Sequence, residues 1–304
     1  MFSFLKKKNS TKIEESFTDK ICQAVTTVVL VAVLLMVALP VLHVIACSFS
    51  DANAILNGQV FFWPVKPTIV GYTFVLQYKQ VWIGYRNSIF YTGVGVTLQM
   101  FMQILAAYPL SRRRYQGRNT IMKIFFLTTM FSAGLIPTYL VKSSLGMVNT
   151  IWAVLLAGLV GVRNVIIMRT ALQSSIPGEL YDAAEIDGAS DIQTCVQIAL
   201  PLVKATTSVL ILYSAVGHWN EYFNSMIYLR NEELYPLQLF LRTILLKTGI
   251  DTSEMDDVLM EQAQQATEQI RYSLIVIATA PLIIMYNIVQ KYFEKGVMIG
   301  SVKG

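Results

Sequence analysis

Charged side chains are scarce in this sequence: 14% of its 304 residues, where a soluble globular chain carries about 25%. Histidine is almost absent, and the three cysteines, Cys22, Cys47 and Cys195, have no C-x-x-C spacing. With His43 and His218 standing alone, no metal cluster is expected, and all five side chains read as packed in or beside helices. No Ser/Pro/Gly linker, low-complexity tract or internal repeat divides the chain, so one domain is expected. The sequence also lacks a G-x-x-x-x-G-K-[ST] phosphate loop, and no activated nucleophile, pocketed carboxylate pair or metal triad is apparent. Neither ATP hydrolysis nor any other catalysis is expected of it.

What fills the chain instead is apolar, 54% of residues, in stretches separated by short charged runs. A bilayer core of about 30 Å takes roughly 20 helical residues to cross. Residues 25–46, 88–109, 121–140, 149–168 and 272–289 meet that length. A sixth stretch, 205–229, is weaker because His218, Asn220 and Glu221 interrupt it. The expected fold is all-α: a polytopic membrane protein of six transmembrane helices. Residues 1–24 form an N-terminal segment, 25–293 the six-span domain with a long inner loop at 170–204, and 294–304 a tail. Residues 44–47, Val-Ile-Ala-Cys, have the look of a lipoprotein cleavage box. The apolar stretch before them exceeds a signal-peptide core and follows a twenty-residue basic lead, so no cleavage is expected.

The net charge of +5 invites a nucleic-acid or acidic-lipid partner. Its distribution points to topology instead. With the N-terminus cytoplasmic, inner segments hold fifteen of the basic residues, among them Lys6, Lys7, Lys8, Arg112, Arg113 and Arg114, against eight in longer outer segments. By the positive-inside rule both termini face the cytoplasm, and no nucleic-acid partner is expected. Arg163 is the one charge left in mid-span. The last outer loop, 230–271, is acidic. Leu237, Phe240, Leu241 and Ile244 share one helical face after Pro236, and Ser253 with Asp256 would cap a second helix. That loop suits a docking site for an external protein or packing on a partner subunit; both stay open.

The inner loop carries the most information. Pro177 suits a helix start, and Glu179 then lies near the positive end of the helix dipole. Leu180, Ala183, Ala184 and Asp187 follow at i, i+3, i+4 and i+7, giving a short helix with a narrow face. Gly188 ends it in a left-handed conformation. Ser190 and Gln193 form a capping box for a second short helix, expected to stop near Leu200 because Pro201 follows. An alanine-faced helix–turn–helix of this kind suits docking into a groove on another protein.

Here the sequence resembles a known family. Asp182-Ala183-Ala184, Gly188, Ile198 and Leu200-Pro201 keep every spacing of the E-A-A-x3-G-x9-I-x-L-P loop of ABC importer permeases, with Asp182 in place of the leading Glu. Residues 186–189, the Trp219-Asn220-Glu221 stretch and the closing 300–304 resemble carbohydrate importers of the maltose type. Residues 217–220, 235–238 and 296–300 are similar, more narrowly, to oligosaccharide or polygalacturonan-type permeases. The resemblance implies that Glu179, Asp182, Ala183, Ala184, Asp187, Gly188, Ile198, Leu200 and Pro201 form a coupling helix seated on an ATPase. It implies two ATPase subunits holding ATP and Mg, with no cofactor in this chain. A second homologous permease, an extracytoplasmic substrate-binding protein, an oligosaccharide and membrane lipid complete the set, in a bacterial cytoplasmic membrane. Trp219, Asn220, Glu221 and Tyr222 are the candidate substrate path, with Asn220 favoured because an amide both donates and accepts. The alternatives are an ABC permease for peptides or amino acids and, from another class, a membrane enzyme or a proton-coupled carrier. A carrier would be expected to place acids or histidines near the midplane.

Overall fold

The computed structural model describes residues 17–131, 133–246 and 267–301, with side chains as far as Asn287 and at Gln290. The first sixteen residues, the expected Ser253–Asp256 cap, the acids from Asp251 to Glu261 and residues 302–304 lie outside them. Every element among the described residues is helical. The first, α1 (Phe17–Ser48), buries only Ala46, Cys47 and Ser48, so its long apolar surface is left for lipid or another subunit. Short helices α2 (Ala52–Leu56) and α3 (Val70–Gln77) lead to α4 (Lys79–Ser111), whose 33 residues extend about 50 Å. The last helix, α15 (Thr267–Ser301), packs against α1, α3 and α12 (Lys204–Trp219).

Three helices, α1, α4 and the 267–287 part of α15, are long and apolar enough to cross a bilayer singly, or five spans exist if each of two bent pairs counts as one. The other three expected spans are interrupted. The third is α5 (Arg118–Met130) and α6 (Leu135–Ser144), inclined at 114°. Gly134 precedes α6 at φ +80°, and Pro137 falls in its first turn, where the missing N–H is tolerated. The fourth is a single turn, α7 (Trp152–Leu155), then irregular backbone through Gly158 at φ +67°, then α8 (Val162–Ser175). The fifth is α12, a break at Asn220–Tyr222, then α13 (Phe223–Tyr228). Window hydropathy registers all of these as apolar and cannot see where the helix stops.

The described part of the expected outer loop, residues 230–246, does not stand free. Its short turn at Glu232–Leu234 is stitched to α4: Asn87 Nδ2 donates to the carbonyls of Glu233 and Tyr235 at 2.7 and 3.0 Å, and Tyr91 donates to that of Leu234 at 2.9 Å. On α14 (Leu237–Leu246), Leu237, Leu241 and Ile244 are buried and Phe240 half-buried, in one cluster with Phe74, Trp219 and Leu274. The expected apolar face is therefore covered by this chain itself. Below it, Pro281 has no N–H to offer the carbonyl of Ile277, and the Tyr85 hydroxyl donates to that carbonyl instead.

Candidate functional site

The inner loop folds as short-range rules dictate. Pro177 is the N-cap of α9 (Gly178–Ile186), one position earlier than a first-turn proline, and Glu179 lies in the first turn. Gly188 sits at φ +77°; its N–H bonds the Glu185 carbonyl at 3.1 Å, and that of Ala189 bonds Ala184 at 2.9 Å. This paired arrangement is a Schellman turn. Both halves of the capping box are formed: Ser190 N–H to Gln193 Oε1 at 2.8 Å, and Gln193 N–H to Ser190 Oγ at 3.3 Å. The second helix continues past the expected stop at Leu200. After α10 (Asp191–Gln193) it widens into a π-turn, Thr194–Ala199, then resumes as α11 (Leu200–Leu202) and breaks only at Val203. In the widened turn Leu200 N–H reaches back to Cys195, relieving the ladder ahead of a proline that has no N–H of its own.

The element is held from one side only. Ala184, Thr194, Cys195 and Ala199 are buried, and Cys195 and Ala199 pack in one cluster with Met168, Leu172 and Ile176 on or just after α8. Ile198 and Leu200 are half-buried on the same side, whereas Glu179, Asp182, Ala183, Asp187, Gly188 and Pro201 are exposed. The opposite side presents bare aliphatic groups: Ile186 is 86% exposed, Ile192 77% and Val196 57%. The turn after α4 clasps α9: the Arg112 guanidinium stands 3.6 Å from the Tyr181 ring centroid, and Arg114 pairs with Glu185. Burial raises the Tyr181 phenol, with Arg112 pulling it down, and the hydrogen bond that Arg114 donates to Glu185 raises the guanidinium above its ordinary value. Asp182 lines a cavity of about 470 Å³ beside Arg112, Arg113 and Arg118.

A second cavity, about 640 Å³, opens among α4, the break before α8, and α12. Gln99 on its wall is twelve residues before the C-terminal end of α4, about 18 Å along the helix. Arg163, Asn164, Tyr213, Ser214, His218 and Glu221 also line it. Of the four residues expected on the path, only Glu221 does. Its carboxylate accepts the Asn224 N–H at 2.7 Å and Nδ2 at 2.9 Å, so it caps the start of α13. Trp219 is buried and donates to the Ala278 carbonyl at 3.0 Å, tying α12 to α15. Asn220 caps the C-terminus of α12 and is exposed, and Tyr222 lies with Arg242 5.7 Å from its ring. Successive helical residues point about 100° apart, so four in a row cannot share one wall.

Sequence reading missed the cavity's other polar groups. The usable signals were the lone mid-span charge at Arg163 and the glycines at 158 and 161 inside an apolar stretch. His218 is admitted by Gly95, where an added Cβ would stand 2.7 Å from the ring.

The family model described as "Binding-protein-dependent transport system inner membrane component" matches residues 15–299. The chain is 37% identical to "Protein LplC" of Bacillus subtilis (strain 168), over 88% of this chain and 89% of that one. It is 34% identical to that organism's "Polygalacturonan/rhamnogalacturonan transport system permease protein YtcP", over 89% and 94%. A chain from the crystal structure of "a bacterial ABC transporter involved in the import of the acidic polysaccharide alginate" superposes with a TM-score of 0.84 at 33% identity, covering 91% of this chain and 98% of that one. A chain from the structure of a "bacterial alginate ABC transporter in complex with alginate pentasaccharide-bound periplasmic protein" shares the fold, with a TM-score of 0.61 at 17% identity, covering 90% and 93%.

Proposed function

This chain belongs to the family of binding-protein-dependent transport system inner membrane components and is an ABC importer permease, and from that premise we propose that it passes an oligosaccharide through the 640 Å³ cavity under control of an ATPase docked on the 178–202 element. One observation carries the reading. The chain runs from the cavity at Arg163 down α8, through the docking element, and back up α12 to the cavity at Ser214 and His218. The helices on either side of the element are thus levers of 14 and 16 residues, about 21 and 24 Å long, each ending in a cavity wall. A push on the element reaches both walls across two short joints, Ile176–Pro177 on the α8 side and Val203 on the α12 side.

The ATPase holds ATP and Mg; the exposed Ile186, Ile192 and Val196 enter its groove, and the clasp from Arg112 and Arg114 keeps α9 aligned while they do. The turn fixed by Gly188 sets the angle between the two short helices. A cavity of this volume lies within the usual range for small-ligand sites. The amides of Gln99 and Asn164 and the hydroxyls of Tyr213 and Ser214 suit a hydroxyl-rich solute. The sugar-transport relatives and the alginate importer support the same cargo class. The remaining parts are a second permease, a binding protein outside, six crossings and cytoplasmic termini. The test is a double substitution, Ile186→Asp with Ile192→Asp. The permease reaches the membrane at its normal level, the ATPase no longer co-purifies, and uptake is lost. Retained ATPase and normal uptake would refute the docking surface.

A further inference from the structure

We infer that the cavity is built for an acidic oligosaccharide, with Arg163 receiving the carboxylate of a uronic acid residue; this rests on the oligosaccharide reading above. Arg163 makes no ion pair among the described residues, although it lines the cavity within the expected 149–168 span, where an unbalanced charge is costly. The acid across from it, Glu221, is already engaged by two donors from Asn224 and lies within electrostatic reach of Lys142. The cavity is left with an uncompensated guanidinium.

The backbone adds to the same sign. Helix α8 begins at Val162, directly after the irregular segment that carries Gly158 into the cavity wall. Its N-cap is Gly161, which has no side chain to accept the first-turn N–H groups, and no side-chain cap bond is made. The positive end of a 14-residue helix therefore opens beside the guanidinium, equivalent to about half a unit charge. A third, independent feature calls for a ligand. Ser214, 5% exposed and on the cavity wall, has a hydroxyl with no hydrogen-bond partner, and the buried carbonyl oxygen of Gln99, another residue of the wall, has none. Gln99 Nε2 is meanwhile held on the Gly158 carbonyl at 3.0 Å, which fixes the side chain's orientation.

Together these groups specify the chemistry. A planar guanidinium matches a carboxylate through two parallel N–H···O bonds, where an ammonium offers only a point charge. Ser214 and Gln99 supply an acceptor or donor to neighbouring ring hydroxyls. One sugar unit presents both demands at once when it is a uronate.

The test uses the assembled importer, with its ATPases, partner permease and binding protein, in proteoliposomes. Uptake is measured for three probes: oligogalacturonates with oligoalginates, the same acids as methyl esters, and neutral malto-oligosaccharides. The acidic probes are expected to be taken up in preference to their esters. Arg163→Gln lowers uptake of the acids on the order of tenfold or more while moving the esters little, since a hydrogen bond to a charged group is the interaction removed. Arg163→Lys recovers part of the loss. ATPase co-purification reports whether each variant still assembles. Neutral sugars carried as well as the acids, with acid-to-ester preference unchanged in Arg163→Gln, would overturn the uronate site and leave the oligosaccharide reading standing. No uptake of any sugar probe would overturn both.

Discussion

Replacing Gly188 with valine isolates backbone conformation from packing. A Cβ added at this glycine meets no atom within 4 Å, so nothing in the chain resists the side chain sterically. The resistance is in the backbone: φ is +77°, a region that costs an L-residue about 1–3 kcal/mol and a β-branched one the most. Spread over the local equilibrium, that reduces the population of the closed turn by roughly five- to a hundredfold or more. Two bonds open with it, Gly188 to Glu185 and Ala189 to Ala184, and the two short helices lose their fixed angle. Asparagine enters the left-handed region at much lower cost, so Gly188→Asn retains most function, Gly188→Ala falls between, and Gly188→Val is the most severe. The assay is substrate-stimulated ATP hydrolysis by the reconstituted importer, beside membrane level and ATPase co-purification. Insertion stays normal in all three, and stimulation falls in the order Asn, Ala, Val. Equal activity of the asparagine and valine variants, or normal transport by valine, would refute the turn as the coupling device.

Three further substitutions test the cavity and its support. Gly95→Ala would place a methyl 2.7 Å from the His218 ring, forcing the ring into the cavity at an overpacking cost of about 1–3 kcal/mol; uptake falls while ATPase assembly is kept, and Asn220→Ala, outside the cavity, leaves uptake near normal. Unchanged uptake in Gly95→Ala would remove His218 from the wall. Tyr85→Phe orphans the Ile277 carbonyl that Pro281 already deprives of its helical donor, and thermal unfolding of the detergent-solubilised complex shifts downward by a loss of about 1–3 kcal/mol; an unshifted melt would mean the carbonyl has another partner.

The inner loop was legible in the sequence because every device in it acts over a few residues. Ser190 reaches Gln193, Gly188 serves the turn it sits in, and Pro177 and Glu179 mark one helix start. Such contacts are forced by covalent geometry and survive any tertiary surroundings. Pro201 was read too strictly: a lost N–H ends a helix only when the ladder cannot widen, and the π-turn over Thr194–Ala199 shows it widening. The cavity obeys the opposite logic. Gln99, Arg163, Ser214 and Glu221 come from three helices and one break, and no pairwise spacing announces that they meet. Trp219 and Asn220 illustrate the cost of treating neighbours in sequence as neighbours in space: one is pinned to Ala278, the other ends a helix, and only the next residue, Glu221, faces the cavity.

The breaks themselves follow a physical requirement. Irregular backbone at membrane depth leaves polar groups without helical partners, and hydrocarbon cannot supply them. It persists where protein or an aqueous cavity does, and the segment between α7 and α8 has both: Gln99 binds the Gly158 carbonyl, and Gly158 lines the cavity. An uninterrupted helix through residues 149–168 would satisfy its own backbone and turn Arg163 toward whatever neighbour its register dictated. Stopping the helix frees a set of N–H groups and points them, with Arg163, at one place. The interruption is therefore what converts an apolar span into a wall that can hold a polar cargo. Because the same α8 leads into the 178–202 element, the wall's position is tied to that element.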